Sequence, residues 1–249
     1  MRRNLGSRVM ASVLVNAVYT MINYPIVLVS TILAPFSLLI VIAFVSHGAL
    51  LPVAVGGAFI MTMISSGTSM QQDLSHLKND FKLQDMVVSS PTGAAVYFLG
   101  MSISEIVYSL PVIAVLVVLA SIYVHASAVG YLMLAAVLAI MFTFSVALGF
   151  VLSTISTDIV QSWAFAGIVS TVISALPPIY YPITYIPMPF QYLAYLSPAT
   201  YAAEIMQEVV GAGIVSFSGT TLTIDWVVII AVTAAMLAIA VKKARWRDP

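Results

Sequence analysis

Glu105 is the residue whose type and position most directly suggest chemistry, because it is an acid well inside a long apolar run. A charged group at membrane depth is costly, so each one is a functional hypothesis, and a carboxyl group there can relay protons. Ser102 and Ser109 share one helical face with Glu105 at i, i+3, i+7 spacing, and their hydroxyls can satisfy the carboxyl group locally. We favour a structural role and keep Glu105 as a candidate on a substrate path.

A second candidate group lies near the C-terminal end, where Glu204 and Glu208 are four residues apart in a stretch rich in tyrosine. The acids can guard an exit path for cationic or polar substrates, and Tyr195 and Tyr201 can line it. A solvated helix face and an interfacial belt of tyrosines are the more common explanations. Tyr195, Tyr201 and Glu204 therefore stay as substrate-path candidates.

The second apolar run is unusually polar in its inner half, between Thr62 and Gln72. Its hydroxyl and amide groups can line an inner vestibule, or they can bond to helix carbonyls and between helices, as is common in membrane spans. Both roles are compatible. Ser66 and Ser69 are the candidates here for the substrate path.

No pattern for catalysis or metal binding is present. Cysteine is absent, and His47, His76 and His125 fall in three separate loops, so no metal-ligand spacing exists. A nucleophile-base pair or a carboxylate pair at membrane depth is also missing. The sequence has no Gly-Lys pair, which the phosphate-binding P-loop of an ATPase requires. We therefore expect no metal, cofactor, catalytic site or nucleotide-binding domain in this chain.

The elements that must position these residues are membrane-spanning helices. Hydrophobic residues make up 61% of the chain and charged residues 7%, against about 25% charged in soluble domains, so lipid must cover most of the surface. The formal net charge is zero, which excludes a strongly basic nucleic-acid binder. The sequence predicts an all-α, multi-pass protein of the plasma membrane.

Six spans follow from the requirement for ~20 apolar residues per crossing. They are predicted at residues 24–45, 52–70, 94–124, 128–152, 161–180 and 224–241. The nine basic residues form three clusters, before residue 9, at 78–82 and at 242–247. Six crossings place all three clusters and both termini on the cytoplasmic side, in agreement with the positive-inside rule.

Two connecting segments stand out. Residues 71–90 form a polar inner connector with an amphipathic stripe, which fits a surface helix or a docking element for a cytoplasmic partner. Residues 181–223, on the outer side, are too broken by proline for a span and too apolar for a solvated loop. We predict a re-entrant or interfacial pair of short helices there, at about 188–196 and 198–210, since irregular backbone at membrane depth is tolerated where protein buries it.

Small residues predict where helices approach closely. Ser145, Gly149 and Ser153 in the fourth span, and Gly167 with Thr171 in the fifth, have suitable spacing. Pro111, midway along the third span, removes one backbone hydrogen bond and predicts a bend, fixed or hinged, with the fixed bend favoured.

Two short segments resemble the permease subunits of ABC-2 type exporters, which are six-span proteins that work with a separate ATPase. The first is Leu83–Pro91 (LQDMVVSSP) followed by Phe98-Leu99-Gly100, which is similar to the family's acidic, paired-aliphatic, Ser-Pro stretch. The second is Tyr181-Pro182, Pro187 and then Leu193–Tyr201 (LAYLSPATY) with Glu204, which resembles the family's Asn/Ser-Pro-x-Thr-Tyr signature before the last span.

The resemblance implies a permease domain that spans the whole chain and moves a hydrophobic or amphipathic substrate, such as a drug, lipid or glycan, outward. It also implies two ATPase subunits carrying ATP and Mg²⁺, and a second permease copy, identical or related. The inner connector then becomes the coupling helix that inserts into the ATPase. The residues implied for that contact are Leu74, Leu77, Lys78, Asp80, Phe81, Lys82, Asp85 and Val88.

An ion-coupled secondary transporter with Glu105 as proton relay is the alternative, since it needs no ATPase. It is weakened because proton relays at membrane depth tend to use several ionisable residues, and these are almost absent here.

Overall fold

The computed structural model describes residues 5–79, 94–175, 177–210 and 219–243, and every regular element in these ranges is helical. The N-terminal part consists of α1 (Leu5–Val13), a π-helical segment (Leu14–Val18) and α2 (Tyr19–Asn23). The long helices are α3 (Pro25–Val45), α4 (Leu51–Asn79), α5 (Ala94–Tyr123), α6 (Ala128–Ile155) and α7 (Ile159–Ala175). A 3-10 turn (Ile183–Tyr185), α8 (Gln191–Ala194), α9 (Pro198–Val210) and α10 (Gly219–Lys243) complete the fold. The predicted all-helical class is confirmed for the described ranges.

Five helices are long and apolar enough to cross a membrane, namely α3, α4, α5, α6 and α10. α7 has 17 residues and is shorter than a typical span of ~20. The predicted fifth span, 161–180, is wrong at its C-terminal end, because residues 177–182 are not helical. Pro177 and Pro178 follow α7 and cannot donate the backbone hydrogen bonds that would continue it. The count of six spans therefore stays a prediction.

Local sequence signals mark several helix ends. Pro25 begins α3, where its missing N–H costs nothing. Ser127 caps α6, since its hydroxyl accepts a hydrogen bond from the Gly130 N–H at 3.1 Å. His47 and Gly48 reverse the chain between α3 and α4 with φ angles of 50° and 86°, a conformation that glycine adopts without strain.

α4 is the central helix, and it packs against α3, α5, α6, α7 and α9. Its closest crossing is with α6, where Gly67 and Gly149 face each other so closely that a methyl group on either would overlap the partner backbone. The Ser145 hydroxyl donates to the Ile64 carbonyl at 3.0 Å in the same crossing. The predicted close approach at Ser145 and Gly149 is thus confirmed, as small residues let helix backbones touch.

At the equivalent position of the fifth span, Gly167, the described chain shows no close approach. A side chain added at Gly167 would meet no atom within 4 Å, so α7 makes no close crossing there within the described chain. The Thr171 hydroxyl donates to the Gly167 carbonyl of its own helix at 2.8 Å. α5 runs through Pro111 as one helix, and whether the bend there is fixed stays a prediction.

An N-terminal helical arm before the first span was not expected. Ser12 of α1 lies against Gly100 of α5, where any side chain at position 100 would collide with the Ser12 Cβ atom. The Asn16 amide donates to the Ser12 carbonyl at 3.0 Å. α1 is amphipathic, and the apolar stretch Val9–Asn23 is shorter than the ~20 residues of a span, so the length criterion did not predict it.

α4 does not end where the predicted second span ends. It continues without a break to Asn79, so residues 71–79 prolong the span and are not a separate connector. Residues 80–90 of the predicted coupling segment lie outside the described residues. In the outer segment α9 has the predicted bounds, Pro198–Val210, while α8 covers only Gln191–Ala194 of the predicted 188–196 helix.

Candidate functional site

A polar cavity of about 350 Å³ lies between α4, the N-terminal arm, α3 and α5. Every residue that lines it carries a polar group. They are Asn16, Thr20, Ser30, Thr31, Ser65, Thr68, Ser69, Gln72, Asp73, Ser104, Glu105 and Tyr108. A polar cavity inside a bundle otherwise held by apolar contacts can hold water or the polar part of a ligand.

Glu105 faces this cavity and is only 4% exposed. The two serines expected to satisfy it are engaged elsewhere, since the Ser102 hydroxyl donates to the Phe98 carbonyl and the Ser109 hydroxyl bonds to that of Ser66. In the described part of the chain no group donates a hydrogen bond to the Glu105 carboxyl group. The predicted local satisfaction is therefore wrong, and the carboxyl group is directed to the cavity, which Asp73 also lines.

Ser69 lines the same cavity as Glu105, but Ser66 does not. The Ser66 hydroxyl lies 3.0 Å from that of Ser109, between α4 and α5, and borders a separate, mainly apolar cavity of about 330 Å³ with Phe59. The polar residues of α4 thus have two roles. Some, such as Ser69, line the polar cavity, and others, such as Ser66, form hydrogen bonds to neighbouring helices.

Gln71 belongs to the part that ties helices. It is fully buried, and its side-chain amide donates to the Ser162 carbonyl at 2.8 Å, which joins α4 to α7. Thr62 donates to the Ala58 carbonyl of its own helix at 2.8 Å.

The outer candidates Tyr195, Tyr201 and Glu204 lie together. The Tyr195 hydroxyl donates to Glu204 Oε1 at 2.7 Å, and the rings of Tyr195 and Tyr201 are 5.5 Å apart. Glu204 is 0% exposed, so the interpretation as a solvated face is wrong for this residue. Burial raises the pKa of Glu204, whereas the hydrogen bond from Tyr195 lowers it.

The start of α9 is fixed to the segment before it. Thr200 Oγ1 donates to the Ala194 carbonyl, and the Gln207 amide donates to the Pro178 and Tyr181 carbonyls at 2.9 and 3.0 Å. These bonds satisfy carbonyls of irregular backbone that would otherwise be buried without donors. The outer segment is therefore a packed part of the fold.

Sequence reasoning missed four residues at these sites. Asn16, Asp73 and Tyr108 line the inner cavity, and Asp225 on α10 is 1% exposed. Asp225 had a readable signal, because it is an acid near the start of the last apolar run with no basic residue nearby in sequence. Asn16 had none, since its helix was not predicted.

The residues expected at the ATPase contact are only partly described. Leu74 is 8% exposed and packs with Met70 and Met101 in an apolar cluster, so it stabilises the bundle itself. Leu77 and Lys78 lie on the last turn of α4, but their side chains are outside the description. Asp80, Phe81, Lys82, Asp85 and Val88 lie outside the described residues altogether. Within the described ranges no group of three or more His, Cys, Asp or Glu residues is placed to hold a metal ion.

Comparison with known proteins identifies the chain type. The family model of the ABC-2 type transporter matches residues 9–210, which include most of the N-terminal arm, the polar cavity and α9. No curated protein matches the chain. With most of its length matched and its helices long and apolar, this membrane protein belongs to the ABC-2 type transporter family.

Proposed function

We propose that this chain is the permease subunit of an ATP-driven exporter, with two copies of a separate ABC ATPase and a second permease copy. The observation that carries the proposal is the polar cavity beside α4. In a member of a transporter family, such a cavity offers a place for the polar group of a substrate. The absence of a P-loop from this sequence supports an ATPase on a separate chain.

α4 is suited to couple ATP hydrolysis by the partner to substrate transport. Residues of its polar face line the cavity, and its last turn leads into residues 80–90, the proposed coupling segment. Since α4 contacts five other helices, a displacement of its inner end changes the packing of the whole bundle. A rigid-body change of this kind alternates the access of the cavity between the two sides of the membrane.

The proposed ATPase contact consists of the coupling residues from Leu77 onward, with Phe81 as apolar anchor. Leu74 belongs to the same set, but its side chain packs in the apolar cluster at the inner end of α4, so we expect it to position the contact from within the bundle. Phe81→Glu should abolish co-elution of the ATPase or its stimulation by substrate, because a charge replaces the anchor. The matched control is Phe190→Glu, the same change at an exposed residue of the outer segment, which should leave both unchanged. Equal behaviour of the two variants would refute the coupling assignment.

An ion-coupled carrier is the second candidate, and the unpaired, buried Glu105 beside the cavity favours it. The two proposals differ in their response to Glu105→Gln. The exporter retains ATP-dependent transport in this variant, because the amide keeps the polar wall. A carrier that relays protons through Glu105 loses proton-coupled transport completely.

A further inference from the structure

Two buried carboxyl groups on the outer part of the fold lack a neutralising partner. Glu204 on α9 is 0% exposed and Asp225 on α10 is 1% exposed, and these helices pack against each other. Tyr195 satisfies Glu204 Oε1, but Glu204 Oε2 and Asp225 Oδ2 are buried and accept no hydrogen bond from the described parts of the chain. A buried carboxylate without a donor or counterion is strongly unfavourable, so something must neutralise this pair.

Within the described residues no Lys, Arg or His side chain forms an ion pair with Glu204 or Asp225, whose second oxygens are buried without a hydrogen-bond partner. The sequence contains no Lys or Arg between Lys82 and Lys242, and His125, the one histidine in that interval, is exposed in the loop before α6. A second copy of the chain adds no Lys or Arg here, because it has the same distribution. A proton taken from the medium is the simplest species that can neutralise the pair.

The other groups around the pair do not change this conclusion. Residues 51–72 of α4 carry no ionisable side chain, and the only one on α6 is Tyr131, whose hydroxyl donates to the Val124 carbonyl at 2.9 Å. α9 itself adds Tyr201 and Glu208. The tyrosines that precede it are Tyr180, Tyr181, Tyr185, Tyr192 and Tyr195. None of these side chains is a cation.

We propose that Glu204 and Asp225 form a proton-binding site in which one shared proton joins Glu204 Oε2 to Asp225 Oδ2. One proton satisfies both unpartnered oxygens in a single hydrogen bond, and the Tyr195 hydroxyl stabilises the charge that remains on the pair. A metal ion is less suited, because it needs more ligands than two carboxyl groups and no third acid or histidine completes a cluster within the described residues. The site takes its proton from the outer medium and holds α9 against α10.

The direction of the pH effect follows from burial. Burial raises the pKa of Glu204, so the folded pair keeps a proton at pH values where the unfolded chain has released it. Stability is then highest at low pH. It falls as the pH rises from the ordinary carboxyl range through the raised folded value, because the folded state binds more protons than the unfolded state in that window.

The test is thermal and denaturant unfolding of the full chain in lipid nanodiscs across pH, for the wild type and three variants. The loss of one proton should raise the unfolding equilibrium constant by up to about tenfold per pH unit in the window. Asp225→Asn should remove that dependence, because the amide N–H can donate a hydrogen bond to Glu204 Oε2 but does not titrate. Glu204→Gln should also remove the pH dependence, and it replaces Asp225→Asn in the test if that variant folds poorly. The control Glu208→Gln, on the same helix, should keep the wild-type dependence.

Infrared difference spectra provide the second measurement. The wild type should show the C=O band of a protonated carboxyl group that disappears at high pH, and this band should be missing in Asp225→Asn. A wild-type pH dependence in both Asp225→Asn and Glu204→Gln would overturn the proposal. Saturable stabilisation of the wild type by Ca²⁺ or Na⁺ at constant pH, absent in these variants, would also overturn it in favour of a metal site.

Discussion

The crossing of α4 and α6 allows a sharp prediction about Gly67. In Gly67→Ala the new methyl group would overlap the backbone carbonyl of Ser145 and its hydroxyl oxygen. Both obstacles are fixed, since the hydroxyl is held by its hydrogen bond to the Ile64 carbonyl and the carbonyl belongs to a helix. The helices must therefore move apart at the most closely packed point of the bundle.

The magnitude follows from three contributions. Overpacking costs about 1–3 kcal/mol, and the upper end applies because backbone is the obstacle. The loss of the Ser145 hydrogen bond adds about 0.6 kcal/mol, the average in a membrane protein. The better helix propensity of alanine returns about 1 kcal/mol. We expect a net destabilisation of about 2.5 kcal/mol, or roughly a 70-fold change in the unfolding equilibrium.

The assay is reversible unfolding of the purified chain in detergent, with Gly167→Ala as matched control. The control makes the same chemical change in a helix, but the new methyl group meets no atom within 4 Å. It should be neutral or stabilising by up to about 1 kcal/mol. Equal stability of the two variants would refute the assignment of Gly67 and Gly149 as the closest contact of the bundle.

Two further predictions concern single hydrogen bonds. Gln71→Ala should destabilise the chain by about 0.6–1.7 kcal/mol, measured in the same unfolding assay, because it removes the tie from α4 to the Ser162 carbonyl; an unchanged midpoint would show that α7 is held without it. Tyr195→Phe should cost about 1.5–3 kcal/mol, because Glu204 Oε1 loses its donor. Since that hydrogen bond lowers the pKa of Glu204, its loss should also move the pH-dependent fall in stability to higher pH, and a shift to lower pH would contradict the role of Tyr195.

The helix positions were largely predictable, because hydrophobic length and proline mark them directly. α9 begins at Pro198 as expected, and α3, α5 and α6 begin within a residue of their predicted starts. The end of α4 was not predictable from hydropathy. Gln71 and Leu74 look like the start of a polar connector, but tertiary contacts with α5 and α7 keep this stretch helical and bury these two side chains.

The site was predictable only in part, because a sequence shows which residues share a helix but not which helices meet. Glu105 and Ser69 were correctly grouped as polar positions of two spans, and the fold brings them to one cavity. Asn16 and Asp73 complete that cavity from elements whose placement depends on packing. A solvated helix face was the more common explanation of the Glu204 and Glu208 pair, yet the Glu204 side chain is fully buried, which depends on how the helices pack.

The central claim, that this chain is a permease subunit driven by a separate ATPase, is tested most directly by co-purification. The chain is expressed with each separate ABC ATPase subunit of its source organism in turn. The complex is purified through a tag on the permease in lipid nanodiscs and assayed for bound ATPase and ATP hydrolysis. Stable co-elution with hydrolysis, lost in Phe81→Glu and kept in Phe190→Glu, is the predicted result. Absence of any association between the wild-type chain and the ATPase would contradict the account.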